Sequence, residues 1–365
     1  MNERIKDATI SLCMIVRNEH RHLARCLESV RGIMDEIVIV DTGSEDDTKE
    51  IARRFTDRIF DFAWQDDFSM ARNFSFSKAT MDFILWMDAD DVLEPEDARK
   101  LLALKKTIGG TADVVMLPYH VGFGDTGEPT LTYERERLLR RSMGFVWRGA
   151  VHEAITPAGR VVYADAAICH RKQGSGDPDR NLRIYEKLLA QGKQLGPREQ
   201  YYYARELSDH GRFEEALAVF EAFLSRPDGW IEHRIDACRI AARCLCALGR
   251  QEEAQAMRFR SFTMDVPRAE TCCEIGAGFM EAQNYRSAAY WYERAMSCKP
   301  DTRSGAFVQP ECYDYVPLLQ LCVCFDRMGD SDRAQAFNER VGKRWPEDPS
   351  YLYNKVYFEG RRQAK

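Results

Sequence analysis

Three carboxylates occur within four residues at the end of a short apolar run, and their type and spacing suit the binding of a divalent cation. Asp88, Asp90 and Asp91 follow the apolar stretch 83–87, which has the length of a buried strand. Clustered carboxylates repel one another unless a cation is present, and oxygen ligands suit Mg²⁺ or Mn²⁺. Open α/β sheets bind ligands at the carboxyl ends of their strands. The alternative is an acidic loop that caps a helix predicted to begin near Pro95.

The preceding sequence predicts the strands and helices that would position this site. Strands are predicted at 10–16, 36–40 and 58–61, with helices starting near Leu23 and at Thr48. This β-α-β-α-β order indicates an α/β domain with a parallel sheet and right-handed crossovers. The first strand is not followed by Gly-x-Gly-x-x-Gly, and the chain has no Gly-Lys-Ser/Thr loop. A dinucleotide-binding dehydrogenase and a P-loop enzyme are therefore disfavoured.

Four short motifs follow one another in the first hundred residues. They are Arg-Asn-Glu at 17–19, Asp-Thr-Gly-Ser at 41–44, Ala-Arg-Asn at 71–73 and Asp-Ala-Asp-Asp at 88–91. In this order they resemble the family 2 glycosyltransferases of the GT-A fold. The stretch 62–73 resembles the subgroup that acts on lipopolysaccharide core or on peptides. The resemblance implies a Rossmann-like, mostly parallel sheet and a UDP-sugar as donor substrate.

The resemblance also implies roles for individual residues. A nucleotide-base contact is implied for Asp41, a base and pyrophosphate contact for Arg72, a ribose contact for Asp88 and a metal bond for Asp90. The expected nucleotide-binding set is completed by Val16, Arg17, Glu19 and Ala89. For Arg17 and Glu19, a plain ion pair is the alternative. These roles are chemically reasonable. A carboxylate accepts a hydrogen bond from the imide N–H of uracil, and the planar guanidinium of arginine donates hydrogen bonds to diphosphate in a fixed geometry.

A second motif, at residues 147–153, contains a candidate for the base that deprotonates the acceptor. Residues 147–153 read Trp-x-Gly-x-x-His-Glu, which resembles a motif of the glycosyltransferase subgroup that acts on lipopolysaccharide core or on peptides. This resemblance implies that Glu153 lies where the GT-A fold places the catalytic base. An inverting transferase needs one carboxylate to remove the acceptor's proton as it attacks the anomeric carbon. Glu153 is therefore the expected base. Asp91 is the alternative, either as the base or as a brace of the metal site.

Residues 113–170 are predicted to add further strands. A strand at 161–170 ends in His170, which the resemblance implies as a second metal ligand, with a structural histidine as the alternative. A strand at 134–141 carries an arginine cluster that we interpret as a solvated face, with diphosphate contact as the alternative; its members are Arg135, Arg137, Arg140 and Arg141. The Gly-rich stretch 120–132 is interpreted as a hairpin turn rather than a mobile acceptor loop.

The second half of the chain is predicted to be helical and repetitive. Similar stretches begin at Gly211, Gly249, Gln283 and Gly329, and their spacing resembles tetratricopeptide helix pairs, with an insertion near 301–309. We therefore predict three segments: a GT-A domain at 1–172, a linker at 173–180 and an all-α tetratricopeptide-like array at 181–361. Such arrays bind peptides or form homodimers.

Composition limits the partners and the compartment. The net charge of −6, without a long basic block, disfavours nucleic acid. The chain lacks an uncharged apolar run of the ~18 residues that a membrane span needs, and its N-terminus lacks the core of a signal peptide. We expect a cytoplasmic protein, with peripheral membrane contact left open. The 12 cysteines are expected to be buried small hydrophobes in a reducing compartment.

Together these features predict a metal-dependent inverting glycosyltransferase that moves a sugar from a UDP-sugar to an acceptor. A transferase followed by repeats is similar to bacterial enzymes that glycosylate peptides, including S-glycosyltransferases, so a peptide is the expected acceptor. One alternative is transfer to a lipopolysaccharide or capsule intermediate. Another is a non-catalytic repeat protein with a decayed transferase domain, which the intact set of acidic residues disfavours.

Overall fold

The chain divides into two compact units, of which the first ends at Glu199 and the second begins at Gln200. The computed structural model describes residues 7–124, 127–171, 177–301 and 303–363. Residues 173–176 of the predicted linker lie outside the described residues, as does residue 302 in the predicted insertion. Among the described helices, none combines the length and the apolar character that crossing a bilayer would require.

Nine strands of the first unit form one mixed sheet in the described residues. They are β1 (Ile10–Val16), β2 (Glu36–Asp41), β3 (Ile59–Asp61), β4 (Phe83–Trp86), β5 (Asp91–Val92), β6 (Val114–Phe123), β7 (Pro129–Arg140), β8 (Val161–Tyr163) and β9 (Ile168–His170). The helices of this unit are α1 (Leu23–Ser29), α2 (Thr48–Ala52), α3 (Phe68–Ser77), α4 (Pro95–Lys105) and α5 (Arg180–Ala190). The strand order is β3-β2-β1-β4-β7-β6-β9-β5, and β8 pairs with β6.

The first four strands in this order run parallel, as the sequence predicts. β4 is buried along its whole length and β1 at all but one position, because both strands are apolar except for Ser11 and pack into apolar clusters on both faces of the sheet. Val16 at the end of β1 is the partner of Asp41 at the end of β2. The segments that follow β1, β2 and β4 therefore emerge at one edge of the sheet.

The remaining strands include the predicted hairpin of β6 and β7, which is confirmed. The prediction of one strand at 161–170 is wrong, because β8 and β9 are separate and both pair with β6 in parallel. Pro118 of β6 lies between the two paired stretches and has no N–H to donate to a ladder. β5 pairs with β9 in antiparallel fashion and aligns Asp91 with His170. This pairing connects the acidic loop to the predicted histidine ligand.

The interpretation of the predicted arginine cluster as a solvated face is wrong for three of its four members. Arg137 is fully buried, Arg135 and Arg140 are half-buried, and Arg141 is the exposed member of the group. The register of the β6–β7 pair shifts between Val115 and Met116. Such an irregularity breaks the simple inward and outward alternation of a strand.

Among the described residues, the second unit consists of four successive helix pairs and a final helix. Its helices are α6 (Pro197–Asp209), α7 (Phe213–Leu224), α8 (Ile231–Ala247), α9 (Gln251–Arg260), α10 (Ala269–Glu281), α11 (Tyr285–Ser297), α12 (Tyr315–Arg327), α13 (Ser331–Arg344) and α14 (Pro349–Gln363). The first three residues of α6 belong to the first unit. Each predicted repeat stretch begins at the turn inside a pair, and Gly211, Gly249, Gln283 and Gly329 all have a positive φ. The tetratricopeptide-like organisation is confirmed.

Cysteines contribute to the cores of both units. All 12 are free, 10 of them are buried, and Cys246 and Cys298 are half-buried. In the second unit, Cys272 packs with Ala288 in an apolar cluster. The prediction that the cysteines are small buried hydrophobes is confirmed for these 10.

Candidate active site

Arg72 links two of the predicted site carboxylates. It lies on α3, whose N-cap Asp67 accepts a hydrogen bond from Met70 N. Its Nε donates to Glu153 Oε1 at 2.5 Å and its Nη2 to Asp88 Oδ1 at 2.7 Å. The structure thus brings the predicted base and the predicted ribose-side carboxylate onto one guanidinium.

Two tryptophans enclose the Arg72 guanidinium. Its Cζ lies 5.1 Å from the Trp86 ring centroid and 4.9 Å from that of Trp147, within the range of cation–π attraction. Burial acts to raise the pKa of Asp88, but the charges of Arg72 and other arginines outweigh burial and lower this pKa to about 2. Asp88 is therefore a carboxylate at neutral pH.

Asp91 is fully buried and is held by three donors. Arg137 Nη1 donates to its Oδ2 at 2.9 Å, Tyr119 Oη donates to its Oδ1 at 2.8 Å, and Asp88 N donates to its Oδ2 at 3.0 Å. The Asp91–Arg137 ion pair has 0% side-chain exposure on both sides. The Arg137 Cζ also lies 3.8 Å from the Trp86 ring centroid. Asp91 thus connects the acidic loop to the interior of the sheet.

Arg137 is a site residue whose role sequence reasoning missed. The available signal was its position within the strand, because a charged residue directly before Leu138 and Leu139 must either turn outward or find a partner inside. Its Nη1 also donates to the Trp86 carbonyl at 3.1 Å. Arg137 therefore fixes both the end of β4 and the loop that follows it.

Three ligand-type side chains converge next to this pair. Atoms of Asp90, Asp91 and His170 lie within 4.8 Å of one another. His170 Nδ1 lies 3.4 Å from Asp90 Oδ1 and 3.0 Å from Tyr119 Oη. Burial acts to lower the pKa of His170, but its hydrogen bonds and charge interactions with the two aspartates outweigh burial and raise it to about 10. Carboxylate oxygens suit Mg²⁺ and Mn²⁺, and an imidazole that has lost its proton binds divalent metals, so the donor set fits a divalent cation.

The acidic residues do not cap the following helix, which was the alternative explanation for them. The helix α4 begins at Pro95, as predicted, and its N-cap is Glu94. Ala89 is buried within the acidic loop. The carboxylates of Asp88 and Asp91 are instead engaged by arginines, as described above.

Asp41 follows the neighbouring strand and has one unsatisfied oxygen. Its Oδ1 accepts hydrogen bonds from Gly43 N at 3.0 Å and Ser44 N at 2.9 Å. Its Oδ2 is buried and has no hydrogen-bond partner among the described residues. A buried carboxylate oxygen without a partner is costly, so this atom is suited to a ligand's N–H.

The loops after β1 and β2 are tied together beside Asp41. Asn18, with φ of 56°, donates from its N to Ser44 Oγ at 2.9 Å. Val16 O accepts a hydrogen bond from the backbone N of Thr42 at 2.9 Å. Arg17 is exposed, and the half-buried Glu19 donates its backbone N–H to Thr48 Oγ1 at 2.7 Å. The predicted nucleotide-side residues of these loops therefore share one edge of the sheet.

The comparisons with known proteins agree with this geometry. The family model "Glycosyl transferase family 2" matches residues 11–162. The lipopolysaccharide core biosynthesis glycosyltransferase LpsC of Rhizobium meliloti is 32% identical over 193 residues, which are 50% of this chain and 68% of LpsC. The prophage-derived glycosyltransferase SunS of Bacillus subtilis is 27% identical over 230 residues, 59% of this chain and 53% of SunS.

The chain is also similar to a protein that contains tetratricopeptide repeats. A TPR repeat-containing protein of Synechococcus elongatus is 49% identical over 86 residues, which are 24% of this chain and 21% of that protein. The chain thus spans about half the length of SunS and less of the repeat protein. The similarity to LpsC covers more than two thirds of that enzyme, and together with the family model it shows that this chain belongs to the family 2 glycosyltransferases.

Proposed function

We propose that the first unit transfers a sugar from a UDP-sugar to an acceptor with inversion at the anomeric carbon, and that Glu153 is the catalytic base. The observation that carries this proposal is the shared guanidinium of Arg72. It holds Glu153 next to Asp88, and Asp88 belongs to the acidic loop that would face the donor's ribose. A base must lie close to the donor so that the acceptor can attack in line.

The donor's nucleotide would bind at the edge formed by the loops after β1, β2 and β4. The unpartnered Oδ2 of Asp41 supports a contact with the imide N–H of uracil. Arg72 and Asp88 would contact the pyrophosphate and the ribose. Val16, Arg17, Glu19 and Ala89 are the remaining residues that we assign to this nucleotide site.

Asp90 and His170 would hold the divalent cation, Mg²⁺ or Mn²⁺. A bound cation supplies charge neutralisation for the diphosphate leaving group. Asp91 would serve as a brace rather than as the base, because its two oxygens already accept hydrogen bonds from Arg137, Tyr119 and Asp88 N. Among the described residues, Glu153 accepts a hydrogen bond from Arg72 on its Oε1, which leaves Oε2 for the acceptor's proton.

The acceptor that we propose is a peptide side chain, because the transferase unit is accompanied by a tetratricopeptide-like array. A lipopolysaccharide intermediate is the second candidate, and the similarity to LpsC favours it. We also propose a cytoplasmic location, where such a donor would be available. Incubation with labelled UDP-sugar and either a peptide library or purified core oligosaccharide separates the two acceptors.

The proposed reaction is tested by measuring UDP release from UDP-glucose and related donors, with Mg²⁺ or Mn²⁺ present. Asp90→Ala should abolish cation-dependent UDP binding in calorimetry. Glu153→Gln should keep UDP binding and lower turnover by ~10²-fold, the scale of a positioned base. Asp165→Ala is the matched control, because that side chain is 91% exposed and lies outside the site. Absence of UDP binding and of turnover with every donor would overturn the proposal.

A further inference from the structure

The loop that carries Glu153 is fixed to α3 through its own backbone. Asn73 makes two hydrogen bonds to Trp147: its Nδ2 donates to the carbonyl at 3.0 Å, and its Oδ1 accepts from the backbone N at 2.8 Å. Phe68 N donates to the carbonyl of Ala150 at 2.8 Å. One side of this loop is therefore held by the same helix that supplies Arg72.

The loop bends sharply just before the proposed base. Arg148 and Ala154 exchange two backbone hydrogen bonds of 3.0 Å, so the residues between them form a closed turn. Within it, Gly149 has a φ of 100° and His152 a φ of 51°. A left-handed conformation is unfavourable for a non-glycine residue such as His152. Surrounding contacts must therefore hold the turn that aims Glu153.

Besides the contacts from α3, two come from residues that follow the region matched by the family model. Arg198, at the first turn of α6, donates from its Nε to the carbonyl of His152 at 2.9 Å. Tyr185 of α5 is fully buried, and its hydroxyl makes a longer contact of 3.4 Å to the carbonyl of Val151. Both side chains belong to the first unit. The two carbonyls that precede Glu153 are thus engaged by residues 185 and 198.

The helix α5 is itself anchored to the segment that leads into α3. Lys187 pairs with Asp66 at 2.5 Å, and the Arg180 guanidinium lies 4.6 Å from the ring centroid of Phe68. Phe68 is also the residue whose N–H holds the Glu153 loop. The loop, α3 and α5 therefore form one connected set of contacts.

From these contacts we propose that Arg198, assisted by Tyr185, is a positioning residue for Glu153, so that the working transferase of this chain extends to the first turn of α6. This inference rests on the proposed function, in which Glu153 is the base. Arg198 acts through the backbone of His152 and contacts neither donor nor acceptor in this scheme. Small displacements of a catalytic group reduce turnover strongly, because the reacting atoms must keep a near-attack geometry.

The test compares Arg198→Ala, Arg198→Lys and Tyr185→Phe with Arg183→Ala as the matched control. Arg183 is an exposed arginine of α5 that pairs with Asp177 and not with the Glu153 loop. We expect Arg198→Ala to lower kcat by about 10-fold or more, since a misplaced base loses part of its ~10²-fold contribution. The donor KM and the UDP affinity should change less than about twofold, since no donor contact is removed. Arg198→Lys should recover part of the lost kcat, and Arg183→Ala should match the unmodified chain.

Several outcomes would overturn this inference. They are an unchanged kcat in Arg198→Ala, an equal loss of kcat and UDP affinity, or no recovery in Arg198→Lys when its melting temperature matches that of the unmodified chain. If Arg198→Ala does not fold, Tyr185→Phe provides the decision, because it keeps the buried ring and removes only the hydroxyl. An unchanged kcat in Tyr185→Phe would then count against the inference. Failure of the proposed function itself is distinguishable, because the unmodified chain would then release no UDP.

Discussion

Arg72 Nε lies 2.5 Å from Glu153 Oε1, so a helix residue and a loop residue that are far apart in the sequence form a nearly buried ion pair. Both side chains are 10% exposed. A buried charge is costly unless a group of opposite charge lies next to it. The Arg72 guanidinium and the Glu153 carboxylate stabilise each other in this way. The position of Glu153 is therefore tied to that of Arg72 on α3.

The first prediction concerns this pair. Arg72→Ala should lower the free energy of unfolding by about 3–5 kcal/mol, because it leaves the nearly buried Glu153 without its ion-pair partner and removes one of the arginines that stabilise Asp88. Arg72→Lys keeps a charge but not the two-pronged geometry, so it should be intermediate in stability and still strongly impaired in turnover. Urea unfolding and UDP release measure the two effects.

A matched control for Arg72 is Arg31→Ala. Arg31 pairs with Glu28 on the surface, and its side chain is 70% exposed. Its removal should change the free energy of unfolding by about 0.5 kcal/mol or less. If Arg72→Ala and Arg31→Ala were equally stable, the interpretation of Arg72 as a structural bridge would be wrong.

The second prediction concerns the buried pair of Arg137 and Asp91. Arg137→Met alone should destabilise the first unit by about 3–5 kcal/mol, because it removes the arginine partner of a carboxylate with 0% exposure. The double variant Arg137→Met with Asp91→Asn should lose less than the sum of the single variants, because no buried charge remains. A double-mutant cycle by urea unfolding measures this coupling. Additive losses would show that the two residues act independently.

The third prediction concerns the turns of the repeat array. Gln283 stands in its repeat at the turn position that glycine occupies in the other three repeats. Its φ is 56°, and those of Gly211, Gly249 and Gly329 are 72°, 76° and 83°. Gln283→Gly should raise the free energy of unfolding by about 0.5–1 kcal/mol. Relief of the left-handed conformation, about 1–2 kcal/mol, is partly cancelled by the greater freedom of glycine in the unfolded chain.

The opposite change provides the control for this turn. Gly249→Ala should lower the free energy of unfolding by about 1 kcal/mol, and the cause would be conformational because an added Cβ would meet no atom within 4 Å. Thermal unfolding followed by circular dichroism measures both variants. A loss of stability in Gln283→Gly would contradict the idea that the turn, rather than the glutamine side chain, determines this position.

The fourth prediction concerns pH. Glu36 accepts hydrogen bonds from Ser11 Oγ at 2.5 Å and from Thr80 N at 2.8 Å. Its Oε1 also lies 3.1 Å from Arg58 Nε. Burial acts to raise the pKa of Glu36, but these hydrogen bonds and the arginine charge outweigh it, so the pKa is lowered from 4.5. Because the pKa of Glu36 is lower in the folded than in the unfolded protein, its ionised side chain stabilises the fold above pH 4.5. This stabilisation is lost as the pH falls further and Glu36 becomes protonated.

Glu36→Gln should therefore be less stable than the unmodified chain at pH 7, and the difference in melting temperature should narrow as the pH falls below 4.5. Thermal unfolding of both proteins at several pH values between neutral and about 3 measures the trend. A difference that stays constant over this range would show that the charge of Glu36 does not contribute to stability.

The parallel strands and the repeat turns could be predicted because their signals are local. Apolar runs define β1, β2 and β4, and a polar loop follows each of them. The turns at Gly211 and Gly249 follow from residue types that recur at a fixed spacing. Such patterns depend on neighbours in the sequence and need no knowledge of the tertiary contacts.

The antiparallel part of the site could not be predicted in the same way. The alignment of Asp91 with His170 depends on the pairing of β5 with β9, strands of two and three residues that come from distant parts of the sequence. The burial of Arg137 depends on its partner Asp91, which is remote in the sequence. Likewise, the contact of Arg198 with His152 joins a helix terminus to a distant loop, and neither segment contains a sign of the other.

The enclosed guanidinium of Arg137 has a consequence for how the enzyme is assembled. Its positive charge is part of the polypeptide and is in place before any ion or substrate arrives, so the acidic edge of the sheet can form during folding without an external counter-ion. Treatment with a chelator such as EDTA should accordingly leave the melting temperature and the circular dichroism spectrum unchanged. The cation would then be needed for binding the donor's diphosphate and not for forming the fold around it.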